Sequence, residues 1–320
     1  MTATRHPRVG AGVAHAVTRD LCARLGLPEL GEARPGADLA VRRRRGLALP
    51  PAGVLLAATD GWVHPGPPTA WPDFAALARS LGARPGDGLP DVSGIPAEAL
   101  DAEAGAWMLP VVAVRAAPAP PPPVPAGSGA RIDGARVVVT GSAWAAPLAG
   151  LALACLGARV VSVEHPRRPD PFPLRDDLAR GQERRALDLD RAEGRAELAG
   201  LLGSADLLVE GHPRRVLANA GFDDAALRAL APSLSVVALR ALEHDDRPGY
   251  GMAAECRGGW AARHDPPRLG RTSVADPVAG LLAALTAAGM LVEGRGRGRA
   301  RISLEAAVGL LHAAEAQRVC

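Results

Sequence analysis

The residue best placed for chemistry lies in Arg271-Thr-Ser-Val-Ala-Asp276-Pro277-Val-Ala-Gly-Leu-Leu-Ala-Ala-Leu-Thr-Ala-Ala-Gly-Met-Leu291. Asp276 falls where a helix N-cap belongs and Pro277 where the first helical residue belongs, and the sequence beyond is almost wholly apolar, which predicts a buried helix. A carboxylate is thereby fixed at the mouth of that helix. The helix dipole and the free N–H groups favour its ionised form, the form a carboxylate nucleophile needs. Taken by itself, the same position also reads as a plain helix cap worth about 1 kcal/mol.

Other chemistries find less support. Glu164 ends a predicted strand about where a ribose-binding acid sits in a nicotinamide enzyme, but Gly141-Ser-Ala-Trp-Ala-Ala-Pro147 replaces the G-x-G-x-x-G turn. Trp144 and Pro147 would block the approach of a pyrophosphate to the helix start. No G-x-S-x-G elbow is present, and Ser142 reads as a helix N-cap. The eight histidines show no HxxxH or HExxH spacing, so His212, His244 and His264 read as loop residues and no metal site is expected. The four cysteines form no CxxC pair, which argues against both a disulfide scaffold and a structural zinc.

Composition sets wider bounds. The chain has 320 residues, 48% hydrophobic and 22% charged, with a formal charge of +3. That charge is too small for a protein that coats nucleic acid. All 37 basic residues are Arg, the mark of a GC-rich genome, and Arg42 to Arg45 reads as a solvated loop. There is no N-terminal apolar segment, and the longest apolar run, Pro277 to Val292, is shorter than the ~20 residues a membrane span needs. The expectation is a cytoplasmic protein with neither a nucleic-acid nor a membrane partner.

The elements that must position Asp276 follow from the pattern. Ala116 to Pro125 is a polyproline stretch followed by Ala-Gly-Ser-Gly, a hinge. It divides a region over residues 1–115 from a region over residues 131–320, with 116–130 as linker. The first region shows helical patterning at His15 to Leu25 and Trp71 to Leu81, and a strand at Gly53 to Ala58. In the second, strands are predicted at Val137 to Thr140, Ala158 to Glu164, Leu187 to Leu189, Asp206 to Glu210 and Leu234 to Leu239. Helices are predicted at Ala146 to Leu156, Ala192 to Leu202 and Asp223 to Leu230. Such alternation means a Rossmann-like parallel sheet with helices on both faces, an α/β domain beside a small α+β region. Ligands bind such sheets beyond the C-terminal strand ends, at the loops after Thr140, Glu164, Glu210 and Leu239.

Seven blocks in order resemble the family III CoA-transferases, the L-carnitine dehydratase and bile-acid-inducible group, to which formyl-CoA transferase and α-methylacyl-CoA racemase belong. Arg136-Val-Val-Val-Thr-Gly-Ser-Ala-Trp-Ala-Ala-Pro-Leu-Ala149 is similar to the opening strand and W-A-G-P helix start, and Leu156-Gly-Ala-Arg-Val-Val-Ser-Val-Glu-His-Pro166 to L-G-A-x-V-x-K-V-E-x-P. Arg180-Gly-Gln-Glu-Arg-Arg-Ala-Leu-Asp-Leu189 and Ala205-Asp-Leu-Leu-Val-Glu210 resemble the G-K-R and V-E-N blocks. Arg247-Pro-Gly-Tyr250, Val274 to Leu281 and Gly296 to Ala306 resemble the later ones.

The resemblance implies that Asp276 attacks an acyl-CoA thioester, forms a mixed anhydride and becomes an aspartyl-CoA thioester. It further implies that Trp144, Ala145, Glu164, Arg180, Arg184, Arg185 and Arg240 are the nearest matches for a CoA-binding set, with coenzyme A as substrate and product, no permanently bound cofactor, and a carboxylate acceptor. Family members are interlocked dimers, so a homodimer or a hetero-partner is expected. The pattern departs at Ser162, Ala179, His212-Pro-Arg-Arg215, Gly249-Tyr-Gly251 and Arg257-Gly-Gly-Trp260, and no histidine stands where the racemases carry their general base. The chain ends at Cys320, and Thr59-Asp-Gly-Trp-Val63 resembles a block of the family's small domain, which implies a shortened, rearranged member. The helices Pro277 to Val292 and Leu304 to Ala314 are then expected to lack cover within the chain. Two further readings keep the fold: an isomerase, lyase or cyclase without CoA transfer, and a catalytically silent partner subunit.

Overall fold

Runs of β-branched residues flanked by glycine turns pair into a six-stranded sheet in which every neighbouring pair is parallel. The computed structural model describes residues 7–31, 53–86, 88–127, 129–141, 143–167, 174–270, 272–294 and 298–319. Arg42 to Arg45 and Ser142 lie outside the described residues.

In chain order the N-terminal part holds α1 (Pro7–Arg24), α2 (Pro28–Gly31), β1 (Leu56–Ala57), β2 (Trp62–His64), α3 (Trp71–Ser80), α4 (Ala97–Ala106) and β3 (Val112–Ala113). The larger part holds β4 (Arg136–Gly141), α5 (Ala145–Cys155), β5 (Arg159–Glu164), α6 (Arg175–Leu178), β6 (Gln182–Ala186), α7 (Ala192–Gly203), β7 (Leu207–Gly211), α8 (Arg215–Asn219), α9 (Asp224–Leu230), β8 (Ser235–Arg240), α10 (Gly251–Arg257), α11 (Ala275–Val292), β9 (Arg299–Ser303) and α12 (Leu304–Val319). The large sheet runs β6-β5-β4-β7-β8-β9. The chain works outward in one direction from β4 and then in the other, which leaves a crevice between the ends of β4 and β7.

Alternate residues of the strands feed two cores. Val137, Val139, Leu207, Val209, Val237 and Leu239 pack on one face under α1, α5, α11 and α12. Val138, Val163, Leu208 and Val236 pack on the other face under α7, α8 and α9. The predicted strand at Leu187 to Leu189 is displaced: the hydrogen-bonded strand is Gln182–Ala186. Its side chains are polar and largely exposed, so an edge strand carries no alternating apolar signal.

The expectation that α11 and α12 lack cover is corrected. Val13, Ala14, Leu21 and Leu25 of α1 join Leu281, Leu285, Val308 and Leu311 in one core, so the chain covers these helices itself. Helix α11 is long and apolar enough by length and composition to cross a membrane, yet 67% of it is buried in the protein core.

β1, β2 and β3 form a small antiparallel sheet that packs with α3 and α4 around Val63, Phe74, Leu77 and Leu100. Its junction with the large part combines an apolar cluster of Val112, Leu242, Ala253 and Cys256 with buried ion pairs. Asp101 takes Arg247 at 2.7 Å and Arg257 at 2.7 Å, and the Asp101 and Arg247 side chains are 3% and 4% exposed. Arg247 also donates to the carbonyls of Asp101 and Val111. The polyproline segment lies along α12, where a Cβ at Gly309 would meet Pro120 and Pro121, and Ala119 N–H donates to the Gly258 carbonyl.

Candidate active site

Two glycines shape the crevice. Gly141 (φ +122°) ends β4 so close to β7 that a Cβ would fall 2.8 Å from Gly211 Cα, and a Cβ on Gly211 would meet Ala146 of α5. The turn then passes through Ala143, at φ 71°, and α5 starts at Ala145 with Trp144 as N-cap and no side-chain cap bond. A third glycine sets the crossing of α11. A Cβ at Gly280 would sit 2.6 Å from the Ala145 carbonyl oxygen, so only glycine lets the two helices meet there. Asp276 lies about one turn before Gly280. The contact therefore carries the carboxylate past the start of α5, toward the C-terminal edge of the sheet.

The capping of α11 differs from the sequence expectation. The helix begins at Ala275 with Val274 as N-cap, which places Asp276 and Pro277 inside the first turn. The first N–H groups are taken by other side chains. Ser273 Oγ accepts from Ala275 N–H at 3.1 Å and Asp276 N–H at 3.3 Å, and Glu255 Oε1 accepts from Val274 N–H at 2.7 Å and Ala275 N–H at 3.4 Å. With its capping role filled, the Asp276 carboxylate is left to face Gly251. It accepts from Gly251 N–H and from the Ser273 hydroxyl. A Cβ at residue 251 would collide with Asp276 Oδ2 and Ser273 Oγ, which gives a physical reason for glycine after Tyr250.

The expected electrostatic effect at Asp276 is also reversed. Burial pushes its carboxyl up to about 6, outweighing the Ser273 and Gly251 hydrogen bonds that favour the anion. Asp276 as a whole residue is half-buried, whereas Glu255 is 2% exposed. Burial and the nearby Asp276 charge push Glu255 up to about 7, against the N–H bonds it accepts.

A cavity of about 320 Å³ opens beyond the strand ends, lined among others by Thr140, Gly141, Glu164, His165, His212 and Asn219. Thr140 is 1% exposed and its hydroxyl has no hydrogen-bond partner among the described residues. Burial, reinforced by the Arg240 charge, holds His212 down to about 4, so it is a neutral imidazole near pH 7.

The structure scatters the other predicted residues. Trp144 is 8% exposed and packs with Leu174 and Leu178. Ala145 forms the crossing with Gly280. Glu164 lines the cavity, where Arg175 grips it by two nitrogens and Arg184 approaches at 3.6 Å. Arg184 also pairs with Asp176 at 3.0 Å. Arg180 pairs with Asp177 at 3.1 Å and is largely exposed. Arg185 turns to Glu183 and Glu197. Arg240 is buried against Glu210 at 2.9 Å and lines a separate charged groove over β7, β8 and β9.

Sequence reasoning passed over Ser273, Gly251 and Glu255, although the spacing of Gly251 and Glu255 by four residues puts them on one helix face. It also passed over a cluster of His165, Asp188 and Asp190, whose ligand atoms lie within 4.8 Å of one another. Arg167 already sits on both of those carboxylates, at 3.1 and 3.4 Å.

The strand order, with a cavity beyond the strand ends of β4, β5 and β7, defines a doubly wound α/β protein, a class whose ligands sit at the switch point; Asp276 is not among the residues that line that cavity. Residues 132–315 match the profile of CoA-transferase family III, and the chain belongs to that family. It is similar to the succinyl-CoA–D-citramalate CoA-transferase of Chloroflexus aurantiacus, 29% identical over 180 residues, covering 49% of this chain and 44% of that one. It is also similar to the formyl-CoA:oxalate CoA-transferase of Rhodopseudomonas palustris, 28% identical over 173 residues, covering 48% and 41%. The chain thus spans less than half the length of these curated relatives. A solved CaiB/BaiF family protein from Brucella suis shares the fold, with a TM-score of 0.51, 24% identity, and 59% and 57% of the two chains covered.

Proposed function

We propose that the chain acts in CoA transfer from an acyl-CoA to a carboxylate, with Asp276 as the nucleophile. The observation that carries this reading is the Asp276 carboxylate itself, held by Gly251 N–H and Ser273 at the start of a buried helix whose first N–H groups are taken by Ser273 and Glu255. In the reaction, an Asp276 oxygen bonds to the acyl carbon, the C–S bond breaks, and CoA leaves as thiolate. The thiolate then attacks Asp276 Cγ and expels the donor carboxylate, leaving an aspartyl-CoA thioester that an acceptor carboxylate opens by the reverse steps. No electrons or net protons are exchanged. Family membership and the CoA-transferase relatives support this chemistry. The cavity at Thr140, Glu164 and His212 offers a nucleotide subsite, and the neutral His212 and unpartnered Thr140 hydroxyl are groups suited to hydrogen-bonding a base or ribose.

Incubation with succinyl-CoA as probe donor and hydroxylamine, followed by peptide mass mapping, tests the reading. A hydroxamate on Asp276 is expected, because hydroxylamine captures both the anhydride and the thioester. CoA release from the donor with Asp276 unmodified would reject Asp276 as nucleophile.

A further inference from the structure

Helix α10 stands between Asp276 and the small antiparallel sheet, and its two faces meet different partners. Gly251 and Glu255, four residues apart, share the face turned to the start of α11. A Cβ at Gly251 would collide with Asp276 Oδ2, and Glu255 Oε1 accepts from Val274 N–H at 2.7 Å and Ala275 N–H at 3.4 Å. At about 100° per residue, Ala253, Cys256 and Arg257 fall on the opposite face. There Ala253 and Cys256 pack with Val112 of β3, and Arg115 N–H donates to the Cys256 carbonyl at 2.9 Å. A helix of seven residues is marginal by itself, so its position is set by what it packs against.

Asp101 of α4 closes this arrangement. Its Oδ2 takes Arg257, the last residue of α10, and its Oδ1 takes Arg247, four residues before Gly251, each at 2.7 Å. One carboxylate therefore grips the chain on both sides of the segment that adjoins Asp276. Ala113 N–H donates to the same Oδ2 at 3.2 Å, which fixes Asp101 to β3. The side chains of Asp101, Arg247 and Arg257 are 3%, 4% and 12% exposed, so little water stands ready to replace a lost partner. We infer that Asp101 is a positioning residue for Asp276, and that the small sheet with α3 and α4, which precedes the family-matching residues 132–315, is a working part of the active site. The inference rests on the reading of Asp276 as nucleophile. A shift of the small sheet passes through Arg247 and Arg257 to α10, and from Glu255 to the first turn of α11. Ser273 caps that turn locally, whereas the bonds of Glu255 tie it to a distant segment.

Amide hydrogen exchange in the full chain tests this without turnover, in Asp101→Asn and in the charge-balanced double variant Asp101→Asn/Arg257→Gln. The amide keeps the shape of Asp101 and an oxygen for Ala113 N–H, but loses the charge that holds the two arginines. In Asp101→Asn, exchange at Val274 and Ala275 should rise on the order of a hundredfold together with that at Ala113, while Val138 and Val209 in the large sheet keep wild-type rates. The double variant leaves no orphaned guanidinium at position 257 and should show the same pattern at about tenfold. Faster exchange at Ala113 with Val274 and Ala275 unchanged would overturn the inference. So would a rise in the double variant that is equal at Val138 and Val209, because that reports loss of the whole fold. In the hydroxylamine assay, the double variant should trap Asp276 at a lower maximal rate with an unchanged half-saturating concentration of succinyl-CoA, since the cavity at Thr140 and Glu164 lies on the strand ends and not on α10. A raised half-saturating concentration with an unchanged maximal rate would remove the positioning role. Failure of hydroxylamine to mark Asp276 in the wild type would instead reject the nucleophile and leave the exchange result standing.

Discussion

Replacing Asp276 by Asn should make the protein more stable at pH 8 while abolishing transfer. The carboxyl is at about 6 in the folded chain against a reference of 3.8, a shift of about 2 pH units. At about 1.4 kcal/mol per unit this sets a ceiling of ~3 kcal/mol, and local relaxation around the charge reduces it to roughly 1–2 kcal/mol. The folded value lies above the unfolded one. The stability the wild type draws from protonated Asp276 is therefore complete below about pH 4 and lost as pH rises through about 6. The amide carries no such slope, and its oxygen still accepts from Gly251 N–H and from the Ser273 hydroxyl. Removing the Asp276 charge also eases ionisation of Glu255, which adds to the gain at high pH. Urea denaturation of both proteins at pH 4.5, 6 and 8 should show a gap that opens with pH and reaches a few degrees in a parallel melting series. A variant less stable than wild type by the same amount at every pH would refute the argument. That outcome would mean the helix start stabilises the anion more than burial penalises it.

Two further outcomes follow from packing. Gly280→Ala places a methyl against the Ala145 carbonyl and should cost about 1–3 kcal/mol in urea denaturation, with loss of Asp276 trapping because the crossing positions that residue. Asp101→Ala leaves Arg247 and Arg257 facing a buried gap, and should cost about 3–5 kcal/mol; limited proteolysis should then cut near residues 115–130 far faster than in the wild type.

The sequence by itself determined the alternation of strands and helices, and with it the doubly wound class. Apolar residues at strand and helix periods specify which faces are buried before any contact is known. It also singled out Asp276, because an acidic residue before a long apolar run is a local signal. Only the tertiary structure decided what surrounds that residue. Ser273 caps α11 locally, but the other half of the cap comes from Glu255, some 20 positions away in the chain, and the space for the carboxylate comes from Gly251. Their four-residue spacing puts them on one helix face, but which element that face meets depends on how the segment after β8 folds back against α11. The same holds for the arginines. Arg180, Arg184, Arg185 and Arg240 look alike in the sequence, but strand alternation and sheet order send them to four different settings. The polarity of β6 hid it for the converse reason: an edge strand is specified by its backbone partner β5, and its side chains need bury nothing.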